Sequence, residues 1–421
     1  MFRRPVRLVG AGVVLAVLGA TLLVSPATAY GRAPSSATAA VQPSPASSAP
    51  EPPALGYIPP YAPATAPPAT DITPLPSMRS LAPSGSLYPC TSYSGIDTPN
   101  PVPAVIADRF TWGTFAPVAV GNSLGDVNWR LNPYKNASWY MWLHSLRWVG
   151  QAITAGAAGD AAALDHVRVI AKDWVLDNPY PWTNDVGAHE STMHRTNVLI
   201  CLREAIVSTS PDGVLPASDA WLDTALLTHA NFIQNYWSGP GNNHGTDESI
   251  ALLGVGCLLS RTDLRDLAIT RMSQAITTAI DTQGASNEQS TSYAQFNYAL
   301  WGRAERALTT CNISPGTTIA TRRQLLATFI AQSTNPLGKL AQIGDSEVVA
   351  AVPFPGTDTE WAGSQGTLGT KPSVNVSRYQ AGYVFGRSGW GTGRRRSGRS
   401  LSTASATDLD GCCTGTRTTP R

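Results

Sequence analysis

Charge is what this sequence has least of. Only 14% of its 421 residues are Asp, Glu, Lys or Arg, and the 30 basic residues nearly cancel the 28 acidic ones, leaving a formal net charge of +2. So close a balance supplies no long-range field to draw the protein onto nucleic acid or an anionic membrane, and any polyanion must be held locally. Nucleic acid is therefore not expected as a partner. Histidine is scarcer still, at six, and none follows His244. The spacing of His189, Glu190 and His194 departs from His-Glu-x-x-His, whose two histidines lie four apart on one helical face, and this excludes a zinc-protease reading. Beyond the amino terminus no apolar run is long enough to cross a bilayer, and no short repeat recurs.

What is present begins with an export pattern. Arg3, Arg4 and Arg7 precede an apolar stretch from Leu8 to Val24, and Ala27-Thr28-Ala29 offers a small-residue cleavage site, so cleavage before Tyr30 is expected, with a retained anchor as the alternative. Residues 30–86 are Pro, Ala and Ser with few large apolar side chains, a composition expected to form a disordered linker or wall-spanning tether. Export would place the protein outside the cell, free or at the cell wall, with no membrane contact after cleavage. It would also place the six cysteines in an oxidising compartment. Cys201 and Cys257 lie in apolar helical runs, where a buried thiol and a disulfide are both compatible; Cys90 and Cys311 lie nearer loops and form a candidate pair.

From about Asn136 to Thr334 the apolar residues recur at helical spacing. Trp139, Leu143 and Leu146 share a face, as do Leu222, Leu226, Ile233 and Trp237, and again Ile269, Met272, Ile276 and Ile280. The pattern fits about eight helices of roughly 15 to 22 residues. Asn178-Pro179, Ser210-Pro211-Asp212-Gly213, Gly239-Pro240-Gly241 and Ser314-Pro315-Gly316 interrupt it as interhelical loops. Helices in hairpin order without intervening strands predict a mainly α fold, an (α/α) toroid or solenoid, over residues 87–340. The absence of a repeat favours the toroid. After Gly344, Val348–Val352 and Ser373–Trp390 alternate as strands do, so residues 341–393 read as the beginning of an antiparallel β-sheet domain.

Four clusters could carry chemistry. Asn242-Asn243-His244-Gly245 follows a Gly-Pro-Gly loop and opens an apolar helix, where backbone N–H groups and the helix dipole favour an anion. The plain alternative is an Asn cap beside an incidental His. Asn287-Glu288-Gln289-Ser290-Thr291-Ser292-Tyr293 opens another helix and supplies a phenol, and its alternative is a capping box with Tyr293 as ordinary packing. Asp185–Asn197 holds His189, Glu190, His194 and Arg195, suited to positioning a sugar or, for His194, to a structural role. Ile343-Gly344-Asp345-Ser346-Glu347 could be a turn and nothing more.

In this order the clusters resemble the heparinase II/III family of polysaccharide lyases, of the heparinase III and alginate lyase type. The resemblance runs from Trp129 with Asn132-Pro133, through Trp139 with Leu143-His144-Ser145-Leu146, His189 with Arg195, Asn242-Asn243-His244-Gly245, Glu288-Gln289-Ser290 with Tyr293 and Gly344-Asp345-Ser346, to Gly382-Tyr383 with Arg387. It implies an incomplete (α/α) toroid followed by an antiparallel β-sheet domain, with an acidic polysaccharide lying between them. It implies catalytic roles for Asn243, which neutralises a uronate carboxylate, and for Tyr293 and His244, which move protons. His189, Arg195, Asn242, Glu288 and Gln289 would orient the sugar. A phenol with its usual pKa of about 10 is a poor base unless positive charge or hydrogen bonds to its ionised form lower that value, and His244 is the expected helper. The mechanism calls for no metal or cofactor.

The chain departs from that family at its end. The family's sheet domain carries a stretch resembling His-Gly-His-x-Asp-His, whereas Arg394–Arg421 is Arg, Ser, Thr, Gly and two adjacent cysteines. Shifting the reading frame by one base across Asp410–Pro420 admits codons for Trp-Met-Leu-His-Gly-His-Thr-Asp-His-Thr. The tail is therefore expected to be out of frame, or else a disordered basic tail. An out-of-frame tail would remove one wall of the binding canyon and leave weak or no activity. Two rivals stand beside a lyase. One is a glycoside hydrolase on the same scaffold, using carboxylates among Asp247, Glu248, Glu288 and Asp345. The other is a non-catalytic surface protein that binds glycans through Trp side chains. Composition does not choose among heparan sulfate, alginate and other uronate polymers, or fix an oligomeric state. Sulfate recognition would call for clustered bases, and only Arg130, Lys135, Arg147 and the tail cluster.

Overall fold

Helices form where the apolar spacing indicated and break where Gly, Pro and Asn accumulate. A computed structural model describes residues 71–74, 95–182 and 188–391. The export pattern, most of the Pro/Ala/Ser stretch, Cys90 and residues 392–421 lie outside them. Eleven α-helices occur among the described residues: α1 (Val102–Ile106), α2 (Ala137–His144), α3 (Gly150–Ala157), α4 (Ala161–Asp177), α5 (Ala188–Thr209), α6 (Trp221–Asn235), α7 (Asn243–Leu258), α8 (Thr262–Ala279), α9 (Thr291–Thr310), α10 (Thr318–Gln332) and α11 (Asp358–Gly363). Helices α3/α4, α5/α6, α7/α8 and α9/α10 pack as consecutive hairpins, while α3, α5, α7 and α9 also pack on one another in sequence as an inner layer. The result is an incomplete toroid of helix hairpins.

The inner position of α7 explains its composition. Gly245 through Cys257 are all buried, so the helix has no solvent face and carries small residues that let its neighbours approach. At Gly256 an added Cβ would lie 2.7 Å from the backbone nitrogen of Arg265, so α7 and α8 can meet this closely only with glycine there. The first expected helix is broken into α2, a 3-10 turn at Arg147–Val149 and α3, because Leu146 adopts a left-handed φ of 56°.

Strands are short. β1 (Thr73–Pro74) pairs with β4 (Ile313–Ser314), β2 (Arg109–Phe110) with β3 (Val118–Ala119), and β5 (Val376–Arg378) with β6 (Val384–Gly386), all antiparallel. Thr73 and Pro74 fall inside the stretch expected to be a linker, yet they sit against Ser314 and Ile313, and the Asp71 carboxylate accepts the backbone N–H and hydroxyl of Thr317. The expected strand at Val348–Val352 is reduced to one bridge between Lys339 and Ala350.

The core holds a polar spine. The His144 Nε2–H donates to the Trp129 carbonyl at 2.8 Å, and its Nδ1 accepts from Trp174 Nε1 at 3.1 Å. The Arg195 guanidinium lies 3.5 Å from the Trp174 ring centroid and donates to His229 Nε2 at 2.8 Å, while His229 Nδ1 donates to the Ala225 carbonyl at 2.7 Å. Each imidazole is thus held in one neutral tautomer by a donor on one side and an acceptor on the other.

The cysteines resolve differently from the pairing anticipated above. Cys257 bonds Cys311, joining the carboxyl ends of α7 and α9, so Cys311 is not the partner of Cys90; Cys201 is also disulfide-bonded. The cross-link closes a sequence separation of 54 residues, and removing it with the Cys257→Ser, Cys311→Ser pair is expected to cost about 2–4 kcal/mol, chiefly by freeing the unfolded chain. Urea titration of the double variant checks this, and an unchanged midpoint would refute it.

Candidate active site

Two helix entrances converge, and each is built by a loop that the helix itself anchors. At α7, Glu248 reaches back one turn and its carboxylate accepts the Ser238 backbone N–H at 2.8 Å and hydroxyl at 2.6 Å. Trp237 Nε1 donates to the Gly245 carbonyl at 2.9 Å. A side chain at Gly245 would collide with the Gly239 carbonyl, so only glycine lets the loop fold this tightly onto the helix. Asn242 caps α7: its amide oxygen accepts from the Gly245 N–H at 2.9 Å and its amide nitrogen donates to the Ser238 carbonyl at 3.1 Å. Asn243 and His244 follow in the first turn, both half-buried.

At α9 the cap comes from two places. Ser290 accepts from the Tyr293 N–H at 3.4 Å, and the Ser346 hydroxyl, 55 residues beyond Thr291, accepts the Thr291 N–H at 2.7 Å and donates to the Ile343 carbonyl at 2.6 Å. Gly344, with φ 62°, packs against the Gln289 carbonyl where no Cβ fits, and Gln289 itself is left-handed with φ 53° and exposed. The Ile343–Glu347 segment is therefore the clamp that seats α9 and brings Asp345 to Tyr293. Ser346→Ala is expected to lower stability by about 1–2 kcal/mol, the usual cost of a lost helix cap, measured as a reduced denaturation midpoint; no change would show that Ser290 alone suffices.

Glu288 joins the entrances. Its carboxylate accepts the Asn243 backbone N–H at 2.8 Å. Burial raises its pKa, offset by the nearby Asn297 amide, the Asn243 N–H and His244, while Asp345 adds to the rise. Tyr293 is 40% exposed, and its pKa is raised, first by burial and then by Asp345, Glu288, Glu190 and Glu347. The expected positive surroundings for the phenol are thus not what the fold provides: carboxylates outnumber the one imidazole.

No protein-family model and no curated protein matches the chain in sequence. Solved structures do match. A heparinase III aligns over 75% of this chain and 54% of its own, at a TM-score of 0.59 and 20% identity. The heparan sulfate lyase HepC from Pedobacter heparinus aligns over 74% of this chain and 52% of its own, at 0.54 and 16%. The chain has the heparinase III fold. The match spans about half the length of each of these structures.

Within this heparinase III-like scaffold the anticipated residues separate into two groups. Asn243 and His244 lie in the first turn of α7 and Tyr293 in the first turn of α9, helix starts that are joined by the Asn243 N–H to Glu288 and by the Asn287 amide to the Gly241 carbonyl. Glu288 and Gln289 lie at the same place, Glu288 already engaged with the α7 backbone. That engagement corrects one expectation: the α7 start does not offer all its N–H groups to an external anion, since Asn243 and Gly245 are satisfied internally. Asn242 is a cap with both ends of its amide in use rather than a free sugar contact.

Arg195 requires the firmest correction. It is 0% exposed and, besides His229, donates to the His144 carbonyl at 2.7 Å, Ser191 Oγ at 3.2 Å and Thr192 Oγ1 at 3.2 Å, so it braces α5 from within and cannot touch a sugar. The His189 side chain lies outside the described residues. His194 is 5% exposed and stacked on Trp142, a structural position. Sequence reasoning passed over Phe296, 38% exposed one turn beyond Tyr293, and the role of Ser346. An aromatic three residues after the phenol on an otherwise amphipathic helix was the available signal for Phe296.

Proposed function

We propose that the chain is a polysaccharide lyase that cleaves a uronic-acid-containing polysaccharide by β-elimination. What supports this reading is that the starts of α7 and α9, whose first turns carry Asn243, His244 and Tyr293, are joined through Glu288, whose carboxylate accepts the Asn243 N–H. Removing the C5 proton of a uronate leaves charge that spreads onto the adjacent carboxylate. The Asn243 amide N–H stabilises that charge, a contribution of about 2.7–4 kcal/mol for one well-placed donor. As the C5–H electrons form the C4–C5 double bond, the C4–O bond breaks, and the departing glycosidic oxygen takes a proton. Burial, and after it the acidic neighbours, keep the proton on Tyr293, which supports the donor role and leaves His244 to take the C5 proton. Gln289 and the half-buried Glu288 flank the sugar.

The hydrolase reading is weaker. Of the four carboxylates named for it, Asp247 is 3% exposed and paired with Arg303 at 3.1 Å, and Glu248 is 3% exposed and bound to Ser238, so only Glu288 and Asp345 of that set act on Tyr293. Incubation with heparan sulfate and with alginate, followed by ultraviolet absorbance, tests the proposal. An unsaturated product that vanishes in Asn243→Ala supports it, new reducing ends without absorbance would favour a hydrolase, and binding without either product a glycan-binding protein. The Met1–Ala29 pattern and the Cys257–Cys311 disulfide support export.

A further inference from the structure

The connection from α8 to α9 is tied down from within. The Asp281 carboxylate accepts the Gln283 and Ala285 N–H groups at 2.8 Å each, the Asn287 N–H donates to the Ala279 carbonyl at 3.0 Å, and Ile280 bridges Ser286. Gly284, with φ 91°, lies against the Leu325 backbone where no Cβ fits. From this base two neighbouring side chains reach across to the loop before α7. The Asn287 amide donates to the Gly241 carbonyl at 2.8 Å, and the Glu288 carboxylate accepts the Asn243 N–H at 2.8 Å. The first bond holds the peptide before Asn242, and the second holds the peptide between Asn242 and Asn243. A peptide is planar, so fixing its N–H fixes the plane and the Cα at each end, and Asn243 continues with helical geometry. The Glu288 bond thus sets the direction in which the Asn243 side chain leaves α7. A carboxylate suits this place, because the N–H it accepts lies at the positive end of the helix dipole. Ser290, in the same segment, caps α9 and accepts the Tyr293 N–H at 3.4 Å.

We propose that Glu288 is a positioning residue: it acts on the reaction through the Asn243 peptide, not as a proton donor and not as the contact that binds the sugar. The inference rests on the lyase reading for the task of Asn243. One short segment, 287–290, then serves both helix starts, orienting the Asn243 amide at one end and seating Tyr293 at the other. Such a brace matters because an amide donor lowers the barrier only where charge develops, and a displacement of about 1 Å costs about 10²-fold in rate. Asn243 has no neighbour on its own helix that could replace the brace, since Asn242 spends its amide on Gly245 and Ser238.

The test compares Glu288→Ala and Glu288→Gln with the parent, as full chains, in two ways. Elimination rates are measured on the polymer that the parent cleaves. The Asn243 side-chain amide resonance is followed in 15N-labelled protein, assigned by its loss in Asn243→Ala. Glu288→Ala is expected to lower kcat about 10²-fold while KM changes little. Glu288→Gln keeps an oxygen that can accept the Asn243 N–H and is expected to stay within about tenfold of the parent. The resonance should shift or broaden in the Ala variant and stay near its parent position in the Gln variant. An unmoved resonance in Glu288→Ala overturns the inference. So does a rise in KM at unchanged kcat, which marks a sugar contact, or a Gln variant as inactive as the Ala variant with its resonance in place, which marks a proton donor. A displaced resonance in Glu288→Ala, with no unsaturated product from the parent on any polymer, would sink the lyase reading alone; product from the parent with an unmoved resonance would sink this inference alone.

Discussion

Replacing Tyr293 by Phe is expected to lower kcat for elimination by about 10²–10⁴-fold, up to ~5.5 kcal/mol, while KM changes little. The asymmetry follows from what the substitution removes. The ring and its packing beside Phe296 remain, so on the proposed β-elimination sugar binding is preserved and what disappears is the proton for the departing oxygen. Without it the C4–O bond must break to an alkoxide, a poor leaving group, and the loss falls on the transition state. A substrate with an aryloxide leaving group needs no proton and should be cleaved by the variant at close to the parent rate. Loss of activity on both substrates would instead assign Tyr293 the C5 proton. Full activity of the variant on the natural polymer would remove the phenol from the mechanism altogether.

How much of this was legible in the chain depends on the range of the interaction. Ser210–Gly213, Gly239–Gly241 and Ser314–Gly316 punctuate the apolar periodicity and do fall between α5 and α6, α6 and α7, and α9 and α10. Local rules of helix starting and stopping suffice for that. The two entrances were visible for the same reason: Asn242 and Ser290 are caps, and the candidate side chains Asn243, His244 and Tyr293 follow in the first turn of each helix. What failed depends on packing across the fold. Arg195 carries the same charge whether it faces a groove or the core, and only Trp174, His229 and the His144 carbonyl, brought together by three helices, decide that it faces inward. Ser346 looks like a turn residue until Thr291 is placed beneath it. The partner of Cys257 was hidden because helix ends separated by 54 residues meet only once α7 and α9 lie side by side.

The buried histidines predict an acid-labile fold. Burial lowers the pKa of His144 to about 3, with Arg195 adding to the effect, and that of His194 to about 3, where Asp247 opposes it only in part. His229 moves the same way, through burial and then Arg195. In the unfolded chain these groups take up protons below about pH 6.5, whereas in the folded chain they stay neutral, so the unfolded state binds more protons and stability falls as pH drops from 6.5 toward 3. Each histidine contributes a slope of about 1.4 kcal/mol per pH unit in that window. Glu248 has the opposite sign: burial raises its pKa from 4.5 to about 7, so between those values the folded state holds the extra proton and acidification stabilises it. Glu288 and Asp173, whose pKa values burial also raises, oppose the histidines in the same sense, so the three histidines dominate chiefly just below pH 6.5 and the fall is partly offset toward pH 4.5. Protonation of His144 would set its Nδ1–H against the Trp174 N–H, and that of His229 its Nε2–H against Arg195, so the spine cannot adjust by tautomer change. Urea midpoints measured from pH 7.5 to 4.5 should fall below 6.5, and more steeply in Glu248→Gln, which lacks one compensating proton. A midpoint that stays level down to pH 5 would mean that the spine opens to water and that His144 and His229 are not locked as neutral partners.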